Sequence, residues 1–422
     1  MLSLFKKAWK SKMRKTILVV GTYDTKNDEL QYISTKIIER GGLVLSMDVS
    51  VLGESSSKCD ISKRDVASAI DKTIAEVINS GDENSAMQLM ASGACSLTSS
   101  LYANNKFDGV IVLGGTMGTD LALDVCQALP LGVPKYIVST VAFSPLIPPD
   151  RLSPDIQMIL WAGGLYGLNS ICKLSLSQAA GAVLGAAESV EFEKTDRPLI
   201  GMTSLGASCL SYMKKLKPAL EARGFEVAIF HATGMGGMAF EQIAKQGKFA
   251  CVMDFALPEL GNLLAGSVIN GGENRMLSAG MAGIPQIIAP GCIDLIDFAG
   301  WQEIPKKYSD RPFHEHNRLI KSSALNTEER RETAQEINIR LKKSKAPVHV
   351  ILPIQGIEEW DKIDGPAHDP DGLNAFMSEM RNIIKEPISI TEIDNHINDE
   401  EFSITVMEIF DNWVEQGIVS NT

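Results

Sequence analysis

The chain has 422 residues, 45% of them hydrophobic and 6% aromatic, with 35 glycines and a net charge of −12. That length exceeds one ordinary domain and predicts two, and the composition suits an α/β protein with a large aliphatic core. The acidic excess argues against nonspecific nucleic-acid binding, which needs a basic face, and no apolar run approaches the roughly 20 residues of a membrane span.

The first fifteen residues, MLSLFKKAWKSKMRK, carry six positive charges and no acids, with Leu2, Phe5 and Trp9 near helical spacing. Two readings stand: a helix for a membrane surface or a partner, and a frayed extension ahead of the first strand. A secretory signal does not fit, because no uninterrupted apolar core or small-residue cleavage site is present. From Thr16 onward, apolar runs alternate with helical patterns. Strands are predicted at Ile17–Gly21, Leu43–Asp48, Gly109–Gly114 and Lys135–Thr140. Helices are predicted at Asp28–Arg40, as a pair within Lys63–Asn105, at Thr119–Leu129, and from Asn169 to about Glu188. Such alternation implies right-handed crossovers and a parallel sheet covered on both faces.

The charged stretch at residues 191–198 (EFEKTDRP) reads as a linker, which leaves an extension at 1–15, one domain at 16–190 and a second at 199–422. After it the pattern restarts with PLIGMTS, a helix through Ser208–Arg223, FEVAIFH, a helix after Gly236, and KFACVMDF. Further strands are expected at Gln286–Ala289, Val348–Pro353 and Ile388–Glu392, with helices at Thr327–Lys343, Gly372–Ile384 and Glu400–Gln416. The expected fold is therefore two tandem Rossmann-like, doubly wound parallel-sheet domains with a ligand cleft between them. Seven cysteines without CxxC spacing predict reduced, mostly buried thiols in a cytoplasmic protein.

Three strand-to-helix turns carry the candidate chemistry. In GTYDTK, Gly21 permits a tight exit from the strand, Thr22 and Thr25 offer hydroxyls, Asp24 accepts hydrogen bonds or holds a metal through water, and Lys26 brings a point charge to a helix start. Asp48, ending the next strand, is placed to accept from the ribose hydroxyls of a nucleotide. In LGGTMGTD, Gly114, Gly115 and Gly118 clear the backbone while Thr116 and Thr119 add donors. Two such turns in one domain predict a phosphate site, although no Walker sequence is present. The third turn, HATGMGGMA, has Gly234-x-Gly236-x-x-Ala239 after a strand, with Asp254 twenty positions on, which is the dinucleotide fingerprint in form. Its helix is short and it follows the second strand of its domain, so a phosphate-type or substrate-facing loop is the leading reading and an NAD-dependent oxidoreductase the alternative.

Other candidates are weaker. His231 sits at a strand end beside that turn and suits acid–base work or carboxylate binding. His314, His316, His368 and His396 lack metal-ligand spacing, and the first two are expected in a polar loop. Arg275 either clamps an anion or pairs with Glu273. No Ser–His–Asp or Cys–His arrangement stands out, so no catalytic residue is assigned.

The segments GTYDTK, LGGTMGT, GLNSICKLSLSQAAGAV, GMTSLGASCL, FHATGMGGMAFE, RMLSAGMAGIPQIIAPGCIDLIDF and HINDEEF together resemble one family across nearly the whole chain. It is the family that includes the ATP-binding inhibitory region of the tomato mosaic virus resistance protein. The resemblance implies two Rossmann-like domains, ATP as ligand of the first, with or without Mg2+, and self-association as a homodimer. On matching positions, it implies that Gly21, Thr22, Asp24, Thr25, Lys26, Gly114, Gly115, Thr116 and Gly118 line the nucleotide site. His231, Gly234, Gly236 and Gly237 would face a cleft from the second domain, where a small acidic substrate is expected. Two stretches depart from the family pattern, WAGGLYGLN (Trp161–Asn169) and FALPELGNLL (Phe255–Leu264). The barrel domain of the plant protein has no counterpart in the sequence, and no antiviral role is carried over. Beside an enzyme acting on a small acid stands a noncatalytic interaction protein that ATP merely stabilises.

Overall fold

The computed structural model describes residues 14–191, 196–206, 208–209 and 211–420. The chain divides into two compact units between residues 193 and 194. Most of the basic N-terminal segment, residues 1–13, and part of the expected linker lie outside the described residues.

The first unit runs β1 (Thr16–Gly21), α1 (Asn27–Glu39), β2 (Leu43–Asp48), α2 (Lys63–Ser68), α3 (Ile74–Ile78), α4 (Glu83–Ala103), β3 (Gly109–Gly114), α5 (Thr116–Gln127), β4 (Lys135–Ser139), β5 (Ile156–Leu160) and α6 (Ser170–Ser189). All five strands are parallel, in the order β2-β1-β3-β4-β5. The side-chain period of two sends Leu18, Val20, Val110 and Val112 to one face, where they meet Met90 and Ala94 of α4 and Leu121 and Val125 of α5. Ile17, Val19, Ile111 and Leu113 go to the other, against Ile33 and Ile37 of α1 and Leu176 and Val183 of α6. Burial on both faces is why these strands read as unbroken apolar runs.

Three expectations for this unit change. Three helices, not two, fill residues 63–103, each opening on an N-cap that the sequence supplies: Ser62, Thr73 and Asp82. α5 begins at Thr116 instead of Thr119, since Gly115 is its N-cap. The edge strand β5 was not predicted. Its side chains are half-buried or exposed, so it lacks the continuous apolar signature of its neighbours.

The second unit repeats the plan. β6 (Leu199–Ser204), α7 (Ser211–Ala222), β7 (Glu226–His231), α8 (Met235–Lys245), β8 (Cys251–Asp254), α9 (Pro258–Leu264), α10 (Ser278–Met281) and β9 (Gln286–Ile288) come first. β10 (Leu295–Ala299), β11 (His314–Glu315) and β12 (Ile320–Ala324) then form a small antiparallel sheet in the order β10-β12-β11. The chain closes with α11 (Thr327–Leu341), β13 (Val348–Pro353), α12 (Pro370–Ile383), β14 (Ser389–Ile393) and α13 (Glu400–Glu415). The main sheet is parallel, in the order β14-β13-β9-β8-β6-β7. Ile200, Met202, Met253 and Ile351 pack with Tyr212 of α7 and Phe402 and Phe410 of α13. Ile288, Val350 and Leu352 face Ile337 of α11 and Phe376 and Met380 of α12. The antiparallel sheet was not expected, and it takes His314 out of the polar loop assigned to it.

Candidate functional site

In the first unit the chain leaves β1 for β2 on one side and later resumes at β3 on the other, so the loops after β1 and β3 part at the point where the strand order reverses. Open α/β sheets offer a crevice there, outside the carboxyl ends of the strands. In the turn after β1, Lys26 N–H and Thr25 N–H both donate to Thr22 O (2.8 and 3.2 Å), and the hydroxyls of Thr22 and Thr25 lie 3.1 Å apart. α1 starts behind it with no side-chain cap. After β3, Gly115 is the N-cap of α5 with φ −73° and ψ −155°, again without a side-chain cap.

The two glycines of this second turn serve different ends. A Cβ on Gly114 would stand 2.4 Å from the backbone carbonyl carbon of Gly118, so Gly114 lets the strand end touch the first turn of α5. At Gly115 the nearest atom to such a Cβ is Thr140 Oγ1 at 3.9 Å, so packing leaves room for a side chain that the sequence does not supply.

Both turns line one cavity of about 780 Å3. Of the residues expected at a phosphate site, the structure brings together Thr22, Asp24, Thr25, Lys26, Gly114, Gly115, Thr116 and Gly118. Three others do not line it. Gly21 packs beneath α1, where a Cβ would come within 2.8 Å of the Leu30 methyls. Thr119 is buried, its hydroxyl 2.7 Å from Ser139 Oγ, and ties α5 to β4. Asp48, the expected ribose acceptor, is 4% exposed and organises the loop above it. Its Oδ1 accepts from Tyr23 N–H (3.2 Å), Ser50 N–H (2.9 Å) and the Ser50 hydroxyl.

The rest of the lining escaped the sequence reading. Val51, Leu52, Ile78, Ala86, Met87 and Met117 make an apolar wall, and Gly81, Asp82 and Glu83 complete it. A helix stripe such as Ala86-Met87 is indistinguishable in sequence from ordinary core. A third helix, α4, also starts at the cavity, but Asp82 caps it by accepting Ser85 N–H at 2.7 Å. The lining therefore combines two helix ends without side-chain caps and Lys26 with an apolar wall and three acids, Asp24, Asp82 and Glu83.

The carboxyl edge of the second sheet is built differently. α8 also starts without a cap from its own N-cap residue, Gly234. Here Glu259 of α9 fills the position: its Oε1 accepts Gly234 N–H (2.6 Å) and Gly237 N–H (3.0 Å). A Cβ on Gly237 would fall 1.8 Å from Glu259 Oε2, and one on Gly236 would fall 1.8 Å from His231 O. These glycines admit the protein's own atoms. Asp254, the fingerprint acid, is buried between the Thr203 hydroxyl (2.7 Å) and Arg275. Arg275 does not pair with Glu273; it is fully buried and reaches Asp254 (2.5 Å), Glu259 (2.8 Å) and Glu241 (3.4 Å). Burial opposes the Arg275 charge, but these three carboxylates outweigh it and hold the guanidinium firmly protonated. Burial also pushes the Glu259 carboxyl up to about 7 against the pull of Arg275. The fingerprint donors are thus engaged internally, which removes the physical basis for a dinucleotide there. His231 is exposed, its Nδ1 3.4 Å from Gly206 N–H.

Further along the same edge lie Asp294 and Glu358, both essentially unexposed. Neither oxygen of Asp294 and only one of Glu358 has a hydrogen-bond partner, the latter accepting Trp360 N–H at 2.9 Å. Burial, then the negative charge of Asp294, pushes the Glu358 carboxyl up to about 9, and burial raises Asp294 to about 6 despite Arg330. Among the described residues no group of three or more His, Cys, Asp or Glu side chains is arranged to hold a metal, and no helix is long and apolar enough to cross a membrane.

Known proteins match this architecture unit by unit. Residues 15–192 match the model of the N-terminal domain of the uncharacterised protein family UPF0261, and residues 197–414 match that of its C-terminal domain. The chain belongs to the UPF0261 family. A UPF0261 protein of Brucella melitensis is 52% identical over 403 residues, 96% of either chain, and one of Clostridium tetani is 32% identical over 96% of this chain and 100% of that protein. The ToMV resistance protein Tm-1 of Solanum lycopersicum is 27% identical over 93% of this chain and 55% of that protein, which bears out the resemblance read from the motifs. Among solved structures, MurG of Acinetobacter baumannii aligns over 96% of this chain and 92% of its own at 13% identity, with a TM-score of 0.23, too remote to carry a functional argument.

The geometry sets two expectations. Gly114→Ala should lower the urea midpoint clearly, by roughly 1–3 kcal/mol of strain, whereas Gly115→Ala should stay within about 0.5 kcal/mol; equal losses would refute the separate roles of the two glycines. For Glu358, a folded-state value near 9 against about 4.5 unfolded means the folded state holds the extra proton, so its stabilising contribution is complete at low pH and drains away as pH rises towards 9. Urea midpoints should fall from pH 6 to pH 9 more steeply in the parent than in Glu358→Gln, and identical slopes would contradict the assignment.

Proposed function

We propose that the first unit binds ATP in the cavity at the carboxyl edge of its sheet. The observation that carries this reading is that the turns after β1 and β3, flanking the strand-order reversal, line one cavity with two uncapped helix ends. Uncapped N-termini offer unpaired N–H groups and the positive end of the helix dipole, so phosphate groups are favoured over the start of α5 at Gly115–Gly118, while the turn after β1 adds the Thr22 and Thr25 hydroxyls, its own N–H groups from Tyr23 to Lys26 being engaged within the protein. Lys26 adds a full charge to that end. Asp82 and Glu83 repel phosphate at the start of α4, while Leu52, Ile78 and Met87 offer apolar surface to a base. Local donors overcome an acidic molecule because they act within a few ångströms, whereas the net charge acts through screening water. The seven cysteines, all free thiols, suit a reducing, cytoplasmic setting.

Titration calorimetry of the full chain with ATP and Mg2+ is expected to show one site. Lys26→Ala and Gly115→Val should each weaken it about tenfold or more, the first through a lost charge-assisted hydrogen bond and the second by filling the cradle. Unchanged affinity in both variants would remove ATP from this cavity.

A further inference from the structure

We infer that the second unit carries a separate site for a short aliphatic carboxylic acid, in a cavity of about 320 Å3 between the loop after β13 and one face of α12. The face is written in the sequence. Leu373, Met377 and Arg381 stand at intervals of four, so they form one stripe along the helix, two apolar residues followed by a guanidinium. Eight residues at about 1.5 Å rise put roughly 12 Å between its ends, which accommodates an aliphatic chain of about six carbons plus its acid group.

The balance of donors and acceptors at the cavity points to an anion. Arg381 commits Nε to Glu392 and makes only a long contact from Nη1 to Ser378 Oγ (3.4 Å), while no bond to protein engages its Nη2 among the described residues. The two acids that share the lining are already engaged. Asp361 accepts Ile357 N–H on one oxygen (2.5 Å) and faces His396 Nε2 on the other (3.0 Å). Asp369 caps α12 through Gly372 N–H (2.9 Å) and pairs with Arg330 (3.0 Å). Arg330 is 2% exposed and donates from Nε to Leu325 O (3.0 Å). It is wedged so close under α12 that a Cβ on Gly372 would stand 2.8 Å from its Cζ. That contact fixes the far wall, so the cavity needs little reorganisation to take a ligand. The acid group goes to Arg381 and the hydrocarbon to Leu373 and Met377.

Hexanoate, hexanol and inorganic phosphate, added singly to the full-length protein labelled with [13C]methyl methionine, separate charge from tail. Hexanoate is expected to shift the Met377 methyl resonance saturably, and hexanol and phosphate to bind at least about tenfold more weakly. In Arg381→Gln the hexanoate affinity should drop about tenfold, the cost of one charge-assisted hydrogen bond, with the other methionine resonances unmoved as proof of folding. The inference fails if hexanol matches hexanoate, if phosphate binds at the same place more tightly than hexanoate, if Met377 does not respond, or if Arg381→Gln retains the parent affinity.

Discussion

A buried parallel sheet forces one problem on both halves of this protein: each helix that follows a strand begins with N–H groups that have no partner within the helix. Those groups cannot stay buried and empty without a penalty comparable to a lost hydrogen bond. The two units meet the constraint in opposite ways. In the first, Gly115 and Lys26 cap nothing, and the starts of α5 and α1 open on a cavity. In the second, the carboxylate of Glu259 is driven into the start of α8 and satisfies Gly234 and Gly237.

That second solution carries an electrostatic burden of its own. Glu259, Asp254 and Glu241 place three carboxylates around one guanidinium, all of them almost fully buried. Removing such charges from water is costly, and the arrangement holds because each oxygen is met by a donor: Gly234 and Gly237 N–H, Met276 and Ser278 N–H, the Thr203 hydroxyl, and Arg275 itself. Removing Arg275 alone would leave three acids without their common counter-charge, a far heavier loss than any single exposed pair on the surface. Glu358 shows the contrasting case, a buried acid short of donors, where a retained proton replaces the missing partner.

The sheet-forming runs were legible because burial on both faces leaves long apolar stretches, and the turns because glycine, threonine and aspartate cluster where those stretches stop. What the sequence hid follows a physical pattern. β5 and the antiparallel β10-β12-β11 sheet are short or half-exposed, so period and hydrophobicity say little about them. Residue by residue, the phosphate-type turns of the first unit are hard to tell from the glycine turn at Gly234–Gly237. The donors of the latter are claimed by Glu259, twenty-five residues downstream of Gly234 in the divergent FALPELGNLL stretch, and no local pattern announces that contact. Asp48 misled for a related reason: a strand-terminal acid faces a ribose or its own loop with the same spacing, and here Tyr23 and Ser50 claim it.

Glu259 also sets the two halves apart in what they require from their surroundings. Its carboxylate arrives with the polypeptide, at fixed and effectively unlimited local concentration, so the order around Gly234–Gly237 is indifferent to metabolic supply. Open helix ends have no such tether. Any solute they capture adds stability in proportion to the logarithm of its abundance, about 2.7 kcal/mol at a hundredfold excess over its dissociation constant.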